Sequence, residues 1–81
     1  CIVVMDDARV SCALDLSNRG YLEYEVDING TLKDFDVELI EEFFRAVAIN
    51  AGITLHIVLQ SGKNKHHIIE AVFKAFALSL R

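Results

Sequence analysis

Proline and tryptophan are absent from these 81 residues, methionine occurs once and cysteine twice. No apolar run approaches the roughly 20 residues of a membrane span, so no contact with a membrane is expected. The opening Cys1-Ile2-Val3-Val4 lacks the charged start and cleavage signal of a secretory leader, which points to a cytoplasmic protein, or a plastid one if the source is a plant. The two cysteines form no C-x-x-C pair, and Cys12, inside an apolar stretch, reads as a small buried residue rather than as a partner for Cys1. Basic residues are also scarce, eight Lys and Arg against twelve Asp and Glu, for a net charge of −4 and a pI near 5.2. They are scattered rather than striped, so the footprint of a nucleic-acid binder is missing. Ser61-Gly62-Lys63-Asn64 lacks the spacing of a phosphate-binding glycine loop. No Ser-His-Asp or Cys-His nucleophile can be assembled, and there is no repeat, low-complexity tract or linker.

What is abundant is apolar bulk. At 53% hydrophobic with five Phe, the chain is rich for a small domain, whose high surface-to-volume ratio demands polar cover. Some of that apolar surface is expected to meet a partner. A start at Cys rather than Met, directly on an apolar run, suggests a piece of something longer.

The pattern along the chain predicts a single α+β domain over residues 1–81. Ala8–Leu16 mixes β-branched and small residues as a strand does, and Ser17-Asn18-Arg19-Gly20 supplies turn chemistry, so a hairpin to the next strand is expected. Tyr21–Ile28 alternates with period two, placing Leu22, Tyr24, Val26 and Ile28 on one face and Glu23, Glu25 and Asp27 on the other. A loop from Asn29-Gly30 to about Asp34 leads to Asp36 as N-cap of a first helix. Val37, Ile40, Phe43, Phe44, Val47 and Ala48 form its apolar stripe and Gly52 its C-cap. A strand over Ile53–Leu59 follows, then a turn leaving Asn64 as N-cap of a second helix with Ile69, Val72, Phe73, Phe76, Ala77 and Leu80 as its stripe. The order β-β-α-β-α packs economically as a two-layer sandwich with both helices on one face.

The second helix opens on His66-His67-Ile68-Ile69-Glu70. Glu70 lies three and four positions from the two rings, near both, while adjacent rings diverge by about 100°, so one helix start can serve two metal ions. The same residues can equally cap and solvate a helix end. Imidazole and carboxylate donors without thiolate favour Mn, Fe or Zn, and a helix N-terminus favours neutral, ligating rings. Glu41 and Glu42 on the first helix offer further carboxylates or plain solvated surface. Lys74, four after Glu70, is either a surface ion pair or the cation an anionic substrate needs, and Arg19 either a loose loop residue or a phosphate contact. His56 reads as a hydrogen-bonded sheet residue.

Several segments together resemble imidazoleglycerol-phosphate dehydratase. They are Val4-Met5-Asp6-Asp7-Ala8, Asp15 to Leu22, Phe35 to Ala46, Thr54-Leu55-His56-Ile57 and His66 to Phe76, in the order and spacing of that family's C-terminal half. The resemblance implies half of a ribosomal protein S5 domain 2-like pair, in which two similar β-β-α-β-α units pack together. It implies a hydro-lyase of histidine biosynthesis that converts imidazole glycerol phosphate to imidazole acetol phosphate with two Mn2+ ions, which bind the substrate imidazole and help to stabilise an imidazolate-like intermediate. By the same resemblance His66, His67 and Glu70 are metal ligands, and Glu42 stands at a ligand position that is His in many members. Arg19 and Lys74 correspond to phosphate contacts, Asp6 to an acidic residue of the active site. The family's Ser-Gly-Arg-Pro turn is here Ser17-Asn18-Arg19-Gly20, the Arg often found after the Leu-His-Ile strand is Val58, and the Ser- and Lys-bearing tail is absent.

Three readings follow. The chain is part of a dehydratase whose site is completed by an N-terminal half and by neighbouring subunits of a large homo-oligomer, a twenty-four-subunit assembly in the family. Alternatively it is a half-size domain that pairs with itself. The third is a non-catalytic metal-binding or structural module that keeps the fold without the chemistry.

Overall fold

The computed structural model describes residues 1–32 and 35–81. Its elements are β1 (Ile2–Met5), β2 (Ala8–Asp15), β3 (Tyr21–Glu25), β4 (Thr31–Leu32), β5 (Phe35–Asp36), α1 (Glu38–Ala51), β6 (Thr54–Ser61) and α2 (Lys65–Ser79). A four-stranded sheet in the order β1-β2-β6-β3 carries both helices on one face, and β4 and β5 form a separate two-stranded ladder. The expected two-layer α+β architecture is present. The last residues of the expected 29–34 loop lie outside the described residues.

The expected hairpin between β2 and β3 is not. β6 lies between them, antiparallel to β2 and parallel to β3. Parallel neighbours need a crossover, and α1 supplies it between β3 and β6. The residues read as a hairpin turn instead carry the chain across the end of β6. Ser17 Oγ lies 2.9 Å from Thr54 Oγ1, and the Tyr21 N–H donates to the Ile53 carbonyl at 3.1 Å. Gly20 serves close approach here: a Cβ would come within 2.6 Å of the Ile49 Cα on α1. The hairpin that does form joins β1 to β2, pairing Met5 with Ala8 across a two-residue turn at Asp6-Asp7. Asp6 adopts φ 50 in that turn, a conformation Asp tolerates better than most residues.

The core runs between sheet and helices. Val10 and Cys12 of β2 and Leu55 and Ile57 of β6 face Phe44 of α1 and Ile68 and Val72 of α2, all of them fully buried. Both cysteines are free thiols, with Cys12 in the core. α1 buries Ile40, Phe44 and Ala48, and the αL C-cap is Gly52 as expected. Val37 takes the N-cap position, while the Asp36 carboxylate accepts the Glu38 N–H at 2.9 Å from one residue earlier. On α2 the buried stripe is Ile68, Ala71, Val72 and Ala75, rotated from the expected one, and Phe73 and Leu80 face outward. Small Ala71 and Ala75 let the helix lie close on the sheet, which the large residues of the expected stripe would prevent. The alternation of residues 21–28 keeps Leu22 and Val26 buried although β3 ends at Glu25. No helix is long and apolar enough to cross a membrane among the described residues.

Candidate functional site

Two loops and a bulge meet at the N-terminal end of α2. The β1–β2 turn brings Asp6 and Asp7, a bulge in the β2–β6 ladder at Arg9/Val10 redirects the end of β6, and Gly62 lets the following loop lie against the hairpin. Gly62 has φ 143, and a Cβ there would sit 3.0 Å from the Ala8 Cα and 3.1 Å from Ile68 Cγ1. Asn64 caps α2 as expected, its side chain accepting the His67 N–H at 3.1 Å.

Asp7 ties these parts together. Its Oδ2 accepts the N–H groups of Lys63 at 2.7 Å and Asn64 at 3.0 Å, and its Oδ1 lies 2.7 Å from His67 Nδ1. Those backbone donors, with His67, hold the Asp7 carboxyl well below the usual carboxylate range. An ionised carboxylate only accepts, so His67 Nδ1 carries the proton and Nε2 is left bare in the neutral ring. Asp6 Oδ2 lies 3.5 Å from that Nε2. The Asp7 hydrogen bond, aided by Asp6 and Glu70, pushes the His67 pKa up. This reverses the expectation that the helix N-terminus alone keeps the ring neutral, because carboxylates in contact outweigh a partial dipole charge.

His66 and His67 diverge as adjacent helical residues must. His66 Nε2 pairs with Glu70 Oε1 at 2.5 Å on the solvent-facing stripe that continues to Lys74, whereas His67 heads the buried stripe of Ala71 and Ala75 and so turns toward the hairpin. Lys74 makes no ion pair with Glu70 among the described residues, since Glu70 is taken by His66. Glu42 lines a shallow concavity on α1 with Glu38, Glu41 and Arg45. Arg19 is at the opposite end of the sheet, in a concavity with Asp15, Ser17, Tyr21 and Thr54, its carbonyl 3.3 Å from Thr54 Oγ1. The eight residues of β2 separate the two ends by about 23 Å. His56 sits on the open sheet face with its ring 6.0 Å from that of Tyr21.

The structure thus gathers Asp6, His67, His66 and Glu70 at one end and places Arg19 at the other, while Glu42 faces its own concavity on α1. Asp7 was not singled out in the sequence; its only signal there is position, the second residue of an acidic turn between two apolar β runs. The donor chemistry, imidazole and carboxylate without thiolate, suits a borderline or hard divalent ion. Among the described residues, however, no three His, Cys, Asp or Glu side chains converge into a complete metal site.

The family model for imidazoleglycerol-phosphate dehydratase matches residues 1–80. The imidazoleglycerol-phosphate dehydratase of Aliarcobacter butzleri is 66% identical over 79 residues, covering 98% of this chain and 42% of the relative. That of Sulfurovum is 63% identical, with the same coverage. The crystal structure of the Staphylococcus aureus imidazoleglycerol-phosphate dehydratase superposes with a TM-score of 0.95 at 46% identity, covering 99% of this chain and 47% of the other. The corresponding Pyrococcus furiosus structure gives 0.90 at 41% identity. The chain spans less than half the length of these relatives, and it belongs to the imidazoleglycerol-phosphate dehydratase family.

Proposed function

We propose that these residues are the C-terminal half of a metal-dependent hydro-lyase that removes water from imidazole glycerol phosphate to give imidazole acetol phosphate in histidine biosynthesis. The observation that carries this reading is the start of α2, where His67 is held by Asp7 with its Nε2 bare beside Asp6, and His66 turns away to Glu70. Two diverging imidazoles, each with a carboxylate, suit two ions shared with donors from elsewhere. His66, His67 and Glu70 would hold manganese in this reading, with Glu42 contributing to a site built by another half or copy. The ion would supply positive charge to polarise the substrate's imidazole. Asp6, three-quarters exposed at its turn, can accept or return a proton beside the site. Lys74 and Arg19 supply positive charge for a phosphate. Because about 23 Å separates the two ends of β2, Arg19 would serve the site of a neighbouring copy, which supports a large homo-oligomer over a self-contained chain.

The decisive assay follows manganese-dependent loss of imidazole glycerol phosphate by the chain with and without an added N-terminal half. Turnover is expected only with both, and full turnover by a monomeric 81-residue chain defeats the proposal. Exposed apolar residues on the helices, Phe43 and Phe73 among them, favour as a second reading a half-domain that pairs with itself or acts as a metal-binding or structural module. Metal content unchanged after His66→Ala and His67→Ala would favour the module without chemistry.

A further inference from the structure

Asp7 has two oxygens with different work. Oδ2 satisfies the backbone N–H groups of Lys63 and Asn64, which is sufficient to pin the loop before α2. Oδ1 is then left for one partner, the Nδ1 of a histidine 60 residues further on, at 2.7 Å. From this division of labour we infer that Asp7 is a positioning residue, which locks His67 in the tautomer protonated at Nδ1 and aims its bare Nε2 out of the hairpin on the side of Asp6. The inference rests on the reading of His67 as a metal ligand and adds to it the group that decides which nitrogen ligates.

The physical reasons are general. A neutral imidazole has one lone pair to offer, and the hydrogen bond made by its other nitrogen decides where that lone pair lies. Carboxylates that hold ligating imidazoles in this way also fix the ring plane, and their loss typically weakens metal binding ten- to hundredfold. Here the holding carboxylate is itself fixed from two directions, by the β1–β2 turn on which it sits and by the two backbone donors. The ring therefore has one orientation set by covalent and hydrogen-bonded anchors rather than by a mobile surface side chain.

Asp7→Asn separates positioning from simple loop support. The Asn carbonyl oxygen can keep the bonds from Lys63 and Asn64, but its amide then presents N–H to His67 Nδ1, and the proton must move to Nε2. The experiment measures 15N shifts and long-range couplings of the His67 ring in the full, metal-free chain, at a pH where the ring is neutral, beside Mn2+ affinity by titration calorimetry. The expected result is a proton at Nδ1 in the parent and at Nε2 in Asp7→Asn, with Mn2+ affinity reduced ten- to hundredfold in the variant and in His67→Ala. A parent ring protonated at Nε2, measurable without any variant, overturns the inference. So does a variant that moves the proton yet binds Mn2+ like the parent while His67→Ala does not. If the proton moves but neither substitution alters Mn2+ binding, the orientation by Asp7 stands and the reading of His67 as a ligand fails.

Discussion

A carboxylate that accepts two backbone N–H groups and faces an imidazole is stabilised in its charged form, and Asp7 titrates well below the ordinary carboxylate as a result. The sign of the consequence is fixed by linkage. With its folded pKa below the unfolded value of 3.8, Asp7 contributes stability that is fully present above that pH and is lost as the pH falls below it. The expected outcome is that Asp7→Ala melts earlier than the parent at neutral pH and that the difference shrinks as the pH is lowered through 3.8, followed by circular dichroism. A constant difference across that range would show that the tie is not ionic. The same residue marks how far sequence reading reaches at this scale. His66, His67 and Glu70 are legible because their spacing is local to one helix, whereas the partner of His67 lies 60 positions away across two turns. Nothing in periodicity connects them; only the bulge, the bare Gly62 and the short β1–β2 turn do so.

At the scale of elements, the strand that displaces the expected hairpin explains most of what differs. Alternation reports which face of a strand is buried and is silent about its neighbour, so Leu22 and Val26 can be placed together on one face while the insertion of β6 cannot be read. Turn chemistry misled because Ser17 to Gly20 has a packing role against β6 and α1 that composition does not distinguish from a tight turn. Caps were more legible, since Asn64 and Gly52 act within a few residues of themselves. The packing of β3 under α1 leaves one defect, the Tyr24 hydroxyl, buried without a hydrogen-bond partner among the described residues. Burial, with Glu41 adding to it, pushes that phenol up to about 12. An unpaired buried hydroxyl costs about 1–3 kcal/mol, so Tyr24→Phe is expected to gain about 1 kcal/mol, or about 4–8 °C in melting temperature. The unfolded chain ionises near 10.0, so the parent's stability, full below that pH, falls as the pH rises toward 12. Tyr24→Phe loses this share of the fall and keeps that of Tyr21 and Cys12, whose pKa values are also raised, so its alkaline decline is expected to be shallower than the parent's. Melts of both proteins at neutral and alkaline pH check the two parts separately, and a variant less stable than the parent at neutral pH would mean that the hydroxyl is satisfied.

For the whole molecule, the distribution of apolar surface matters more than its amount. The 53% hydrophobic content exceeds what the single core absorbs, and the remainder is divided between strand and loop residues such as Ile2, Val4 and Leu16 and a patch where both helices face away from the sheet. Leu39 and Phe43 of α1 and Phe73 of α2 are each about four- to five-tenths exposed there, and the rings of Phe43 and Phe73 lie 5.8 Å apart, bridging the helices. A half-exposed Phe offers about 100 Å2, or about 2 kcal/mol per ring when covered, before the entropy of association is subtracted. The two-layer fold therefore leaves an apolar helical face that, in the proposed reading, a complementary half or a second copy would cover. In sedimentation equilibrium the 81-residue chain is expected as a dimer or larger species, and the double variant Phe43→Ser, Phe73→Ser as a monomer with its helical circular dichroism retained. The choice of Ser keeps the test on the surface, because Phe44, the ring that fills the core, is untouched. A parent chain that sediments as a monomer at the same concentration would mean that the exposed rings are tolerated in water, and self-pairing through this helical face would have to be abandoned.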